Sequence, residues 1–337
     1  MKKNIEIIAE IAQGFEGDRG QAIQLLKAAA SAGADVAKFQ LVYADELATT
    51  DYKYYDLFKD LEMDDSVWED IVNIANELQI ELVFDIFGEK SLALAQKLKT
   101  KRVMLHATDI NNLTLLNQVA DSNISDVIIG VGGAHLPEIE RALKLLKKKF
   151  VFIMFGFQGY PTPDEHNQIS RISYATALLT KKYKNVITGF ADHSDPNSNL
   201  LTPLSAMAYA AGARVFEKHL TLSQVMKLED YESAVNPDQF STFCFELREC
   251  VKAYGEVKDL PDFGMSSSEK KYREFVQRHV VSNRDLARGD IVSESDVRLS
   301  RTSNKAAIVD IDRVVGRKLS VNVQKNQTFE DSQLVKL

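Results

Sequence analysis

The sequence predicts a (β/α)8 barrel, the TIM-barrel architecture, followed by a small β-rich module. Three observations carry this. Strand-like and helix-like patterns alternate eight times over residues 1–255. The strand candidates are near-continuous apolar runs, as expected of parallel strands buried on both faces. Polar residues gather where those runs end, and that end of a parallel barrel is where active sites form.

The strand candidates are residues 5–12, 36–42, 80–87, 102–107, 126–132, 150–157, 186–191 and 215–222. Between them lie helical patterns at roughly 19–33, 65–78, 89–98, 113–120, 136–147, 164–181, 197–211 and 237–253. Gly33 and Gly212 stand where two of the helices should stop. An open doubly wound sheet is the alternative, but eight even units favour closure. Residues 256–277 are polar, hold Pro261, Gly264 and a serine run, and read as a linker with room for one short helix. Residues 278–337 read as short strands around the turn Ala287-Arg288-Gly289-Asp290 and a second turn near Gly316. So short a segment makes a marginal core alone, so it is expected to pack on the barrel or on a second subunit.

Composition narrows the function classes. Of 337 residues, 45% are apolar and 26% charged, enough for a full core. A net charge of −7 argues against nucleic acid or an anionic membrane as partner. Cys244 and Cys250 fit no metal-ligand spacing and read as reduced, as in the cytoplasm. The start, Met1-Lys2-Lys3-Asn4, leads into a strand rather than a signal peptide, and no apolar run is long enough to span a bilayer. Trp68, with Ile71, Val72 and Ala75, fits the buried face of a helix.

Two histidines are the most informative residues. His193 follows Gly189-Phe190-Ala191-Asp192, and His219 follows Phe216-Glu217-Lys218. Each ends a strand candidate, and one helix separates them. Imidazoles from adjacent strand ends can hold a divalent metal and leave positions open for a substrate. Two unrelated polar residues at strand ends are the plainer alternative. The two-residue period puts Ile8, Glu10 and Ala12 on one face, and Val36, Lys38 and Gln40 on another. Glu217 and His219 share a face, with Lys218 opposite. Glu10 and Lys38 inside an apolar barrel are costly unless paired or used. Either a structural ion pair or a polar substrate-binding floor satisfies that requirement.

At these residues the chain resembles the sialic acid synthase family. The resemblance rests on Ala9-Glu10-Ile11, Ala32-Gly33-Ala34-Asp35 with Lys38-Phe39-Gln40, Tyr160-Pro161-Thr162-Pro163, Asp192-His193-Ser194 and Glu217-Lys218-His219, in the family's order. The segment from Arg278 onward is similar to that family's antifreeze-protein-like SAF domain. The resemblance implies condensation of phosphoenolpyruvate with an N-acyl amino sugar aldehyde, giving a nine-carbon 2-keto acid of the sialic type and phosphate. It implies a manganese or magnesium ion on His193 and His219. It implies a proton-moving, sugar-contacting Glu10 and an anion-binding Lys38, with Gln40 beside it. Asp192 and Glu217 flank the histidines and join the catalytic set. Tyr160 and Asp230 match sugar-pocket residues. Arg301 matches an arginine that reaches the sugar from the partner's tail in a domain-swapped homodimer.

Departures from the family pattern cluster on the anion contacts. A Lys-Ile-x-Ser stretch is here Met104-Leu105-His106-Ala107, and a Ser-Thr-Gly-Met pattern is Gly130-Val131-Gly132-Gly133. A His-Cys pair becomes Phe155-Gly156, and the serine before Asp192 is Ala191. Asp85 stands where small hydroxyl residues are usual and adds negative charge. His106 and Gln158 are the replacement donors the sequence offers. Three readings therefore stay open. They are a synthase with altered donor contacts, a metal-dependent aldolase or lyase using pyruvate or another non-phosphorylated donor, and a non-catalytic sugar-binding homologue.

Overall fold

The computed structural model describes residues 4–156, 159–256 and 261–335. Eight parallel strands close into a barrel: β1 Glu6–Ala12, β2 Val36–Gln40, β3 Glu81–Asp85, β4 Arg102–Leu105, β5 Asp126–Gly130, β6 Phe150–Phe155, β7 Val186–Asp192 and β8 Val215–His219. Each pairs with its sequence neighbour, and β8 returns to β1 with Glu10 opposite His219. The helices are α1 Arg19–Ser31, α2 Ala44–Leu47, α3 Tyr55–Asp60, α4 Asp65–Leu78, α5 Glu89–Lys97, α6 Leu113–Asp121, α7 Leu136–Leu145, α8 Ser170–Lys182, α9 Leu201–Ala210 and α10 Pro237–Tyr254, with α11 Ser267–Val276 further on. Local chemistry sets several ends. The Asp18 and Asn112 side chains accept the Gln21 and Leu115 N–H groups that open α1 and α6.

Two helices begin later than their periodicity suggests, each for a local reason. Before α8, Asp164–His166 forms a single 3-10 turn, and Gln168 takes a positive φ of 49° that breaks the helix. Before α9, the Asp195 carboxylate accepts the Asn197 N–H and closes a turn. Trp68 is buried from α4, with its ring 5.4 to 5.8 Å from those of Phe15, Phe39 and Phe84.

The interior of the barrel is packed by Ile8, Val36, Val83, Met104, Ile128, Phe152, Met154, Ala191 and Val215. Met154 claims the space opposite β7. A β-carbon on Gly189 would lie 2.3 Å from the Met154 sulfur and 2.7 Å from the Val215 carbonyl oxygen, so only glycine fits there.

The chain divides into two compact units, Met1–Gly255 and Glu256–Leu337. In the second, β9 His279–Ser282 and β10 Val297–Ser300 pair antiparallel. Its core is Val280, Leu286, Val292, Val297, Ile308, Val314, Leu319, Val323, Phe329 and Leu334. The polar stretch before it contains α11, none of whose residues is buried. Among the described residues no helix is long and apolar enough to cross a membrane.

Candidate active site

Strands β1, β2, β3 and β8 bring four charged side chains together inside the barrel. Lys38 from β2 is ion-paired with Glu10 from β1, and its ammonium lies 3.2 Å from Asp85 of β3 and 3.1 Å from Glu217 of β8. The Met104 sulfur touches the same ammonium at 2.7 Å. All four charged groups are buried. Burial works against a charge on Lys38, but Asp85, Glu10 and Glu217 outweigh it and hold its pKa well above the usual value. Burial, opposed by Lys38 and reinforced by Asp85 and Glu217, holds the Glu10 carboxyl well above the ordinary carboxylate range. Asp85 goes the other way: against the cost of burial, Lys38 and His106 keep it below its usual value. One oxygen of Glu10 also accepts the Ala12 N–H at 2.7 Å.

The two histidines lie beside this cluster, with His219 opposite Glu10 in the register. Their ring centroids are 5.0 Å apart at 56°, and the Tyr160 ring stands edge-on to both, at 5.5 and 5.8 Å. Burial pushes His193 down to about 4, with Lys218 adding to the effect, and Asp192 only partly offsets it. Burial and the neighbouring His193 push His219 well below its usual value. Both are therefore neutral imidazoles near pH 7. Their backbones are pinned. The His193 carbonyl accepts the Ser233 hydroxyl and the Thr162 N–H, each at 2.8 Å, and the His219 carbonyl accepts the Val235 N–H at 3.0 Å. On the opposite strand face, Lys218 donates to the Ser194 carbonyl at 2.8 Å and lies 3.5 Å from Asp192. That buried pair braces the turn that carries His193.

A divalent ion fits two neutral imidazoles. The Nδ1 of His193 is buried without a well-formed hydrogen bond, although the Ala191 backbone bears on the ring. No group of three or more His, Cys, Asp or Glu is arranged to hold a metal among the described residues. An ion held there would take two ligands from the described residues, and substrate or water would have to complete its shell.

Two cavities meet at this end of the barrel. The inner one, about 30 Å³, is lined by Glu10, Lys38, Glu217, His193 and His219 on one side. That is room for an ion or one or two waters. Its other wall is Met104, Ala107, Gly130, Gly132, Gly156 and Ala191. Each departed stretch on strands four to seven thus contributes at least one residue to this cavity, and none of these six residues carries a charge. The outer cavity, about 430 Å³, is lined by Gln13, Glu46, Thr108, Asp109 and Asp230 among others, a size that suits a sugar. Gln40, His106 and Tyr160 line both. Burial, with Glu229 and Glu232 beyond it, raises Asp230 to about 6.

The sequence-derived residues sort accordingly. Glu10, Lys38, Gln40, His106, Tyr160, His193, Glu217 and His219 surround the inner cavity, and Asp230 the outer. Asp85 lies behind Lys38 and His106 and lines neither cavity. Asp192 is committed to Ser194 and Lys218. Arg301 is exposed in the small unit, just after β10. Gln158 falls outside the described residues. Lys97, Lys99 and Lys101 line a separate groove against β3 and α4. Residues the sequence did not single out include Gln13, which donates to Gln40 at 2.7 Å, and Ser233, which pins His193. Only a three-dimensional neighbour relation could have found them.

Comparison with known proteins follows the same lines. A family profile described as NeuB family matches residues 25–259, and one described as SAF domain matches residues 277–335. N,N'-diacetyllegionaminic acid synthase of Campylobacter jejuni subsp. jejuni is 26% identical over 351 residues, covering 98% of this chain and 100% of that protein. Pseudaminic acid synthase from the same species is 24% identical, covering 98% and 96%. The crystal structure of an N-acetylneuraminic acid (sialic acid) synthetase from Leptospira borgpetersenii, in complex with citrate, superposes with a TM-score of 0.72 at 24% identity. It covers 81% of this chain and 92% of that one.

Proposed function

From the premise that this chain belongs to the NeuB family and is a carbon–carbon bond-forming enzyme of the sialic-acid-synthase type, we propose the following reaction. Phosphoenolpyruvate condenses with the open-chain form of an N-acyl amino sugar to give a nonulosonic acid and phosphate. The observation that carries this reading is the meeting of two neutral imidazoles with Glu10 and Lys38 around one cavity, under a sugar-sized chamber.

In this reading His193 and His219 hold a manganese ion. Magnesium is the harder alternative and has less affinity for imidazole. When bound, the ion supplies Lewis acidity to the sugar carbonyl. Gln13, Gln40, Tyr160 and Asp230 hold the sugar hydroxyls in the outer chamber. Lys38 meets the donor's anion as a cation. Three surrounding carboxylates keep it protonated, so it is unsuited to imine formation, which needs a free amine. The partners are small molecules, not nucleic acid or membrane. Cys244 and Cys250 are free thiols, consistent with a cytoplasmic enzyme.

By resemblance, Arg301 reaches the sugar from a second chain in a domain-swapped homodimer. Deleting residues 256–337 is then expected to weaken dimerisation and turnover together. Sedimentation and kinetics check it, and a truncated chain that stays a fully active dimer would refute the arrangement.

The uncharged wall favours one second reading, an aldolase or lyase that takes pyruvate. Donor kinetics decide between them. Each missing charge-assisted hydrogen bond is worth about 1.5–3 kcal/mol, so two absent donors weaken phosphoenolpyruvate by roughly two to four orders of magnitude. The expected result is weak, saturable use of phosphoenolpyruvate with release of phosphate, and no product from pyruvate. Turnover of pyruvate alone would replace the first reading with the second. Tight, micromolar use of phosphoenolpyruvate would show that other groups on the wall hold the anion.

A further inference from the structure

The barrel register sets Asp85 at the end of β3 opposite Met104, so His106, two residues on, rises beside it. The His106 Nε2 lies 2.7 Å from the Asp85 Oδ2, and its ring packs on Phe87 at 5.3 Å. Asp85 is fully buried, and its other oxygen lies 3.2 Å from the Lys38 ammonium. A carboxylate fixed from behind thus orients an imidazole in front. That imidazole stands where the inner and outer cavities meet. Two carboxyls of the inner cavity that could also move protons are committed elsewhere. Glu10 is bonded to Lys38 and to the Ala12 N–H, and Glu217 faces Lys38.

We propose that His106 is the general acid and base of the condensation, with Asp85 as its positioning residue. The inference rests on the function proposed above. As the donor's methylene carbon bonds to the sugar aldehyde carbon, the carbonyl π pair moves to oxygen, and the imidazolium of His106 gives that oxygen its proton. The now neutral imidazole takes a proton from the water that adds at the carbon bearing phosphate, which restores the imidazolium. The tetrahedral intermediate then breaks its carbon–oxygen bond to phosphate. The electron pair leaves with phosphate, and the hydroxyl proton goes with it, leaving the ketone and hydrogen phosphate. One proton cycles on His106 and no redox partner is needed. A carboxylate–imidazole pair is a common arrangement for such a shuttle.

The test uses the full chain with manganese, phosphoenolpyruvate or pyruvate, and N-acetylmannosamine. His106→Ala is expected to lower kcat by about 10²–10⁴-fold with little change in either KM. Added imidazole should restore part of that loss in His106→Ala but none in His106→Gln. Asp85→Asn should lower kcat with His106 in place and gain nothing from imidazole. A His106→Ala enzyme that keeps kcat within about threefold of the parent, or that imidazole leaves unchanged, overturns the assignment. A parent that turns over neither donor overturns the function itself, and this inference with it. A parent that works while His106→Ala and His106→Gln both work as well as the parent overturns the inference alone.

Discussion

Replacing His193 or His219 with alanine is expected to abolish manganese binding and to lower turnover by about a thousandfold or more. The physical basis is ligand number. In the proposed site only these two imidazoles would hold the ion, so either substitution removes half of the protein's ligands. Lewis-acid assistance is worth several kcal/mol, and about 1.4 kcal/mol is tenfold in rate, which sets the scale of the loss. The fold should survive, because the neighbouring backbone keeps its bonds to Ser233, Thr162 and Val235. Calorimetric titration of manganese into both variants checks this, with circular dichroism as the control. Parent-like binding by both variants would mean the ion sits elsewhere.

The largest stability effect is expected from Lys38→Met. It leaves Glu10, Asp85 and Glu217 around a space with no ammonium. Breaking a buried ion pair from one side costs about 3–5 kcal/mol. For a domain of this size that corresponds to a fall in Tm of roughly 10 °C. The pH dependence has a definite sign. Without Lys38, burial is no longer opposed at Glu10, and the folded chain keeps a proton there at pH values where the unfolded chain has lost it. The folded state then binds more protons, so stability falls as pH rises from the ordinary carboxylate range toward neutrality. The variant should therefore look closest to the parent near pH 4 to 5 and furthest from it near pH 8. Adding Glu10→Gln should recover part of the loss. Thermal melts across that range decide the matter. A variant that melts with the parent at every pH would show that the cluster is not ion-paired in solution.

Much of this arrangement is legible in the sequence, and the remainder is hidden for a definite reason. The closed barrel follows from the alternation of buried runs and helical patterns. The two-residue strand period groups Glu10 with Ile8, Lys38 with Gln40, and Glu217 with His219 on shared strand faces. What the period cannot give is which inward residues meet. Asp85 lies 47 positions from Lys38 along the chain, and only the register between β2 and β3 sets them in contact. Alone, Asp85 reads as a charge set against a phosphate; in the fold it is the partner of Lys38 and His106. Lys218 reads merely as the residue facing away, yet it holds the turn on which His193 depends. The common wall formed by Met104, Ala107, Gly130, Gly156 and Ala191 was visible only as scattered substitutions in separate loops.

The contact between Met104 and Lys38 limits which substitutions position 104 can accept. A lysine at position 104, the residue usual in the family stretch, would set a second ammonium where a sulfur now touches the first at 2.7 Å. That charge could be accommodated only by sharing the carboxylates that Lys38 now holds alone. Position 104 and Asp85 are therefore coupled through Lys38: a charge introduced at 104 and a charge removed at 85 should not act independently on the cluster.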